Sequence, residues 1–130
     1  MDSYEHIQLS PKEVQEAVDL GNVTHTVFQR QRGHYRNLMS SHIIGKLGEL
    51  AVLRWLSRFL DGDALDPLFR DTTKLSACDI AVLGHDPSRL DVKTWNRDSW
   101  PTMGRCVTPA QLPKLKRKCD AIVWCYLEQD

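Results

Sequence analysis

Residues 120–127 read Asp-Ala-Ile-Val-Trp-Cys-Tyr-Leu, and after the aspartate the run contains no charge, glycine or proline. A nearly continuous apolar stretch of this length, rich in β-branched and aromatic residues, predicts a strand buried on both faces. An interior strand needs partners and covering layers. The chain is therefore expected to be one piece of a larger protein or to complete its core by oligomerising, with a homodimer the natural symmetric solution.

The layers are sought upstream. Residues 43–60 carry the strongest helical pattern, with Ser41 placed to cap the start and Asp61-Gly62-Asp63 to end it. Ser10-Pro11-Lys12-Glu13 reads as a capping box with proline at the first helical position, and Gly21 predicts a stop for a short helix. A second helix is expected over residues 22–41, broken near Gly33. Strands are predicted at residues 65–70, 77–83 and 89–95, the last two joined as a hairpin by Gly84-His85-Asp86-Pro87-Ser88. Thr108 and Pro109 then open a helix over residues 110–118. The expected organisation is an N-terminal helical segment, residues 1–42, and a core, residues 43–130, within one compact domain.

At 130 residues, 42% of them apolar and 26% charged, the chain has the composition of an ordinary globular domain. No apolar run approaches the roughly 18 residues that cross a bilayer, and the polar start lacks a signal peptide's apolar region. No membrane association and a cytoplasmic location are expected. Cys78, Cys106, Cys119 and Cys125 form no Cys-x-x-Cys and accompany no histidine pair at zinc-finger spacing, so free thiols are predicted rather than a structural zinc. Seventeen basic residues balance seventeen acidic ones. That balance argues against holding nucleic acid by bulk charge alone, but a neutral total can hide a positive rim around a negative centre.

Asp91-Val92-Lys93 falls on a predicted strand, where residues two apart share a face, so the Asp91 carboxylate and the Lys93 ammonium project together. In an antiparallel hairpin centred on His85 or Asp86, Asp79 falls opposite Asp91 or Lys93. Glu49 joins them from the helix: at about 100° per residue it projects between Leu56 and Leu60 and near Val52. Lys46, Arg54, Ser57 and Arg58 are expected on the other side. A carboxylate within an apolar arc calls for a partner or a cation, and Gly45 and Gly48 leave room for another backbone to approach. Hard oxygen ligands beside a lysine suit Mg²⁺-assisted phosphodiester hydrolysis. In that reading Asp79 bridges the metal, Asp91 and the Val92 carbonyl complete the protein ligands, Glu49 acts directly or through a water, and Lys93 positions or activates the attacking water.

The order of a helix with Glu49, a strand with Asp79, a hairpin, Asp91-Val92-Lys93, a helix and an apolar strand resembles the PD-(D/E)XK nuclease superfamily over residues 43–127. Gly45-Lys46-Leu47-Gly48-Glu49-Leu50-Ala51 is similar to the corresponding helix of restriction-type enzymes and archaeal junction resolvases. Cys78-Asp79-Ile80-Ala81-Val82 and Leu90-Asp91-Val92-Lys93 match the two metal-binding strands. Cys78 stands where the motif's name has proline, and Asp91 where glutamate is commoner. The resemblance implies an α/β, restriction-endonuclease-like core with a central mixed sheet flanked by helices. It also implies Mg²⁺- or Mn²⁺-dependent cleavage of nucleic acid, expected to be DNA, by an endonuclease of restriction, homing or junction-resolving type. A catalytically inactive DNA-binding or assembly module on the same fold is the alternative.

Gln111 lies where some related nucleases place a polar active-site residue. Arg30, Arg32 and Arg36, with His34 and Tyr35 among them, and Lys114, Lys116 and Lys118 further on, are the expected nucleic-acid contacts. A helix end favours such positive charge through its dipole as well. His42 reads as a helix-start residue, and Trp95 and Trp100 as packing residues.

Overall fold

The structure is a computed structural model that describes residues 4–32, 39–73, 77–104 and 106–128. Two helices come first, α1 (Pro11–Arg32) and α2 (Met39–Leu56). The strands β1 (Leu65–Asp66), β2 (Ile80–Val82) and β3 (Arg89–Asn96) follow, then the short helices α3 (Trp100–Met103) and α4 (Leu112–Lys118), and finally β4 (Ala121–Leu127). The four strands form one mixed sheet in the order β1-β2-β3-β4, antiparallel except for the parallel pair β3 and β4. The architecture is α/β, a four-stranded mixed sheet flanked by helices. Among the described residues no helix is long and apolar enough to cross a membrane.

Alternation along β3 sends Leu90 and Val92 into the main core, with Leu50 and Val52 of α2, Ala17 of α1, and Ile80 and Val82 of β2. On the other side of the sheet a smaller core gathers Cys78, Leu115 of α4 and Cys119, with Ile122 of β4 against it. The α1 helix thus belongs to the same packed body as the strands. The capping box forms as expected, Ser10 N–H to Glu13 Oε1 at 2.9 Å and Glu13 N–H to Ser10 Oγ at 3.2 Å.

Several expected boundaries move, each for a packing reason. Gly21 does not end a helix; α1 runs through it, and a side chain there would lie 2.7 Å from Ile43 Cγ1, so the missing Cβ lets α1 and α2 approach. The break expected near Gly33 lies outside the described residues. Ser41 sits inside α2, which starts earlier and stops at Leu56, short of Leu60. Pro67 cuts the strand predicted over residues 65–70 to Leu65–Asp66, followed by a 3₁₀ turn at Leu68–Arg70. The segment after β3 contains a short helix, α3, not among the expected elements; the ring of Trp100 packs against Tyr126, centroids 5.5 Å apart. The β4 strand is at the end of the sheet and half-buried along its whole length, so it is not the interior strand its composition suggests. Its apolar residues are used on both faces all the same, Val123 and Cys125 against the main core and Ile122 against the smaller one.

Gly48 fixes how α2 lies on the sheet. A Cβ built there would fall 1.7 Å from Thr94 Oγ1 of β3, whereas nothing stands within 4 Å of one at Gly45. The two glycines therefore predict opposite outcomes. Gly48→Ala is expected to destabilise the fold by about 3 kcal/mol through overpacking, partly restored by adding Thr94→Ala. Gly45→Ala is expected to stabilise it by about 0.5–1 kcal/mol through helix propensity. Urea unfolding of the variants measures both, and equal effects at the two positions would rule out the close approach as the constraint.

Candidate active site

The hairpin between β2 and β3 pairs Ile80 with Leu90 and Ala81 with Arg89, the register centred on His85. The β2 strand is short, and beyond it the partner of β3 is a side chain. Asp79 N–H donates to the Leu90 carbonyl (3.0 Å), while Asp79 Oδ2 accepts the Val92 N–H (2.7 Å). The carboxylate therefore takes over where the backbone ladder stops, alongside Asp91. Asp91 and Lys93 share a face of β3, with Lys93 Nζ 3.0 Å from Asp91 Oδ2.

The space left by the short β2 is a cavity of about 270 Å³, whose lining includes Glu49, Asp79, Asp91, Val92 and Lys93. Glu49 reaches it because Gly48, its neighbour, holds α2 against β3. Five candidate residues, from α2, the position before β2, and β3, are thus brought together. Two lysines join them. Lys46, expected on the far side of the helix, is only 7% exposed and donates to Glu49 Oε2 (3.1 Å) and to the Phe69 carbonyl (3.2 Å). Residues three apart on a helix are neighbours on one face, so the Lys46–Glu49 spacing carried this signal and the expected placement of Lys46 is corrected. Lys118, expected among the outer nucleic-acid contacts, instead puts Nζ 3.1 Å from Asp91 Oδ1 at the end of α4. An ion pair from Arg89 Nη2 to Asp120 Oδ1 (2.7 Å), with Arg89 Nη1 on the Arg117 carbonyl (2.9 Å), ties the hairpin to the turn after α4 and so fixes where Lys118 stands.

Asp91 is 1% exposed, and its two oxygens meet ammonium groups at ion-pair distance. Burial works to raise its carboxyl, but Lys118 and then Lys93 outweigh it and hold the group below its ordinary value. Burial pushes Glu49 up from 4.5 to about 8, the charge of Asp79 adds to the rise, and the charge and hydrogen bond of Lys46 oppose it. Asp79 rises from 3.8 to about 6, through burial first and the charge of Asp91 second, against the pull of the Val92 N–H and Lys118. A divalent cation among these carboxylates would reverse both upward shifts.

Other candidates lie elsewhere. Gln111 is exposed and outside the cavity lining; with Thr108 it closes a reciprocal turn before α4, Thr108 N–H to Gln111 Oε1 and Gln111 N–H to Thr108 Oγ1, both 3.3 Å. Lys114 and Lys116 are exposed on α4. Arg30 and Arg32 fall in the last turn of α1, and Arg36, with His34 and Tyr35, lies outside the described residues. His42 lies near the start of α2, borders the cavity, and stacks edgewise on His25 with centroids 5.5 Å apart.

Among the described residues no three Asp, Glu, His or Cys side chains stand as a ready-made metal cage. The donor set still suits a hard cation: carboxylates are the preferred ligands of Mg²⁺ and Mn²⁺, and Glu49, Asp79 and Asp91 line one cavity. Comparison with family models, with curated proteins and with solved structures finds no match to this chain.

The raised carboxyls give a pH dependence of stability with a definite sign. Glu49 and Asp79 bind protons more tightly folded than unfolded, so their contribution is fully present at low pH and is lost as pH rises through about 6 and about 8. Asp91, held low, acts the other way and only in the acid range, while His42, held below 6.5, adds stability as pH rises toward that value. From about pH 6.5 to about pH 8.5 the Glu49 effect therefore dominates these four groups. The melting temperature in EDTA is expected to fall across that interval for the wild type and to stay flat for Glu49→Gln. Parallel curves would remove Glu49 as the cause.

Proposed function

We propose that the chain is a metal-dependent nuclease, most simply a DNA endonuclease with a restriction-endonuclease-like core of the PD-(D/E)XK superfamily. The observation that carries this reading is the convergence of Glu49, Asp79, Asp91 and Lys93 on one cavity. They come from a helix, the position just before a hairpin strand and the following strand, in the order the resemblance requires, with two short helices and a parallel strand after them. At about 270 Å³ the cavity is smaller than the usual pocket for a drug-sized ligand. It suits a cation and a phosphate group, with the rest of the nucleic acid outside.

Asp79 and Asp91, with Glu49 and the Val92 carbonyl, would hold Mg²⁺ or Mn²⁺, which supplies Lewis-acid polarisation of the phosphate and neutralises charge in the transition state. Lys93, on the same face as Asp91 and partly exposed to the cavity, orients the attacking water and stabilises the negative charge that develops on the phosphate. Burial of Asp91 keeps these groups in fixed positions. Exposed Lys114 and Lys116 on α4, together with Arg30, Arg32 and Arg36, are the proposed contacts to the phosphate backbone.

Incubating the protein with labelled linear, nicked and four-way-junction DNA in Mg²⁺, Mn²⁺ or EDTA tests the reading. Cleavage should require the metal and be lost in Lys93→Ala; DNA binding that ignores chelator, with no cleavage under any condition, would replace the nuclease with a binding module. Asp79→Asn separates catalysis from folding. Asparagine keeps an oxygen for the Val92 N–H, and neutralising one of several clustered carboxylates relieves repulsion. Cleavage should therefore vanish while thermal stability in EDTA holds or improves, and the wild type should gain more than the variant from added Mn²⁺. Clear destabilisation of the variant in EDTA, with identical responses to metal, would make Asp79 structural.

A further inference from the structure

Asp91 has an ammonium beside each carboxylate oxygen: Lys93 Nζ stands 3.0 Å from Oδ2 and Lys118 Nζ 3.1 Å from Oδ1. A Mg²⁺ ion requires its carboxylate oxygens at about 2.0–2.1 Å. An ammonium in the same cavity would then face a dication at short range, where like charges repel strongly. One lysine must give way, and the surroundings of the two differ. Lys93 follows Asp91 two residues on along the same strand. Lys118 arrives from the other end of the core, borders the cavity with Glu49 and Asp79, and is drawn by all three carboxylates, which raise its pKa against its own burial. In turn its charge pulls Asp79 and Asp91 down together.

We propose that Lys118 is a built-in counter-ion that stands, in the metal-free protein, where a divalent cation binds, holding Asp79 and Asp91 together until the cation displaces it. This rests on the metal-dependent reading above and adds a role for a residue outside the Asp-x-Lys motif. It puts an ammonium in the cavity lining, 3.1 Å from Asp91 Oδ1, beside the carboxylates that would hold the cation. The position suits displacement. Lys118 is the last residue of α4, its side chain is 25% exposed, and its four-carbon stem lets the ammonium leave while the backbone stays pinned by Arg89 and Asp120. Lys118 is thus a positioning residue, acting through the carboxylates it holds.

The test is Mn²⁺ binding by titration calorimetry on the full chain, independent of cleavage. Lys118→Met, which keeps the apolar stem and removes the charge, should bind Mn²⁺ about tenfold tighter than the wild type, the scale of losing one nearby like charge. Lys12→Met, which removes a charge from exposed helix surface far from the cavity lining, should bind like the wild type, and Asp91→Asn should bind much more weakly. If wild type and Lys118→Met bind equally, or the variant more weakly, while Asp91→Asn fails to bind, the counter-ion role is overturned and the metal site stands. If neither wild type nor Lys118→Met binds Mn²⁺, the metal site falls and this inference with it. Lysine labelling of the wild type by reductive methylation, read by peptide mass spectrometry, does not depend on any variant folding. Lys118 should label several-fold faster in Mn²⁺ than in EDTA, and unchanged or slower labelling overturns the proposal.

Discussion

A carboxylate buried as deeply as Asp91 needs compensation, and the surrounding structure is arranged to provide it. An isolated ionised carboxylate in a protein interior costs several kcal/mol, so two ammonium groups at ion-pair distance are a condition for keeping it charged. One comes free with the strand, since Lys93 shares the face of Asp91. The other requires α4 to end in the right place, and the Arg89–Asp120 pair, anchored also on the Arg117 carbonyl, sets that end. The parallel pairing of β4 with β3, seven residues long, then fixes the strand that follows. The position of Asp91 thus constrains the hairpin, the last helix and the last strand together.

The opposite wall of the cavity depends on sterics rather than charge. Gly48 lets α2 lie against Thr94, and the next residue, Glu49, is carried to the carboxylates by that contact. Lys46 then compensates Glu49 as Lys118 and Lys93 compensate Asp91, and the cavity lining holds three lysines and four carboxylates, Asp71 being the fourth. The balance is uneven all the same: burial and Asp79 outweigh Lys46 at Glu49, whereas the lysines win at Asp91.

The legible part of this arrangement was local. Strand period two put Asp91 and Lys93 on one face, the turn residues set a hairpin, and the hairpin brought Asp79 alongside Asp91. The capping box at Ser10 and Glu13 also formed as the sequence required. What the chain concealed was contact between distant segments. Gly21 reads as a helix stop because nothing nearby announces Ile43, the side chain it makes room for. The apolar residues of β4 suggest an interior strand because they pack on both faces, yet strand order is a property of the sheet and not of the segment. Lys118 reads as one more residue in a basic helix end, and only the ending of α4 beside β3 gives it a carboxylate. Lys46 and Glu49 pair as residues three apart on a helix can, a local contact that the apolar projection around Glu49 obscured.

These two kinds of compensation bear differently on what the cavity can do. A buried ion pair contributes little net stability, because desolvation offsets most of the attraction, but its removal leaves an unpaired charge that is costly. Lysines therefore keep the carboxylates charged and gathered without binding them so tightly that a stronger cation cannot compete. An apolar lid over Asp91 would have made the carboxyl neutral and a poor ligand, and a structural arginine would have held it in a bidentate grip. Lysine, a single charge on a flexible stem, is the side chain that keeps a carboxylate ionised in the interior and can still be displaced. In the proposed reading, the same choice that lets the metal-free protein fold also keeps its ligands available.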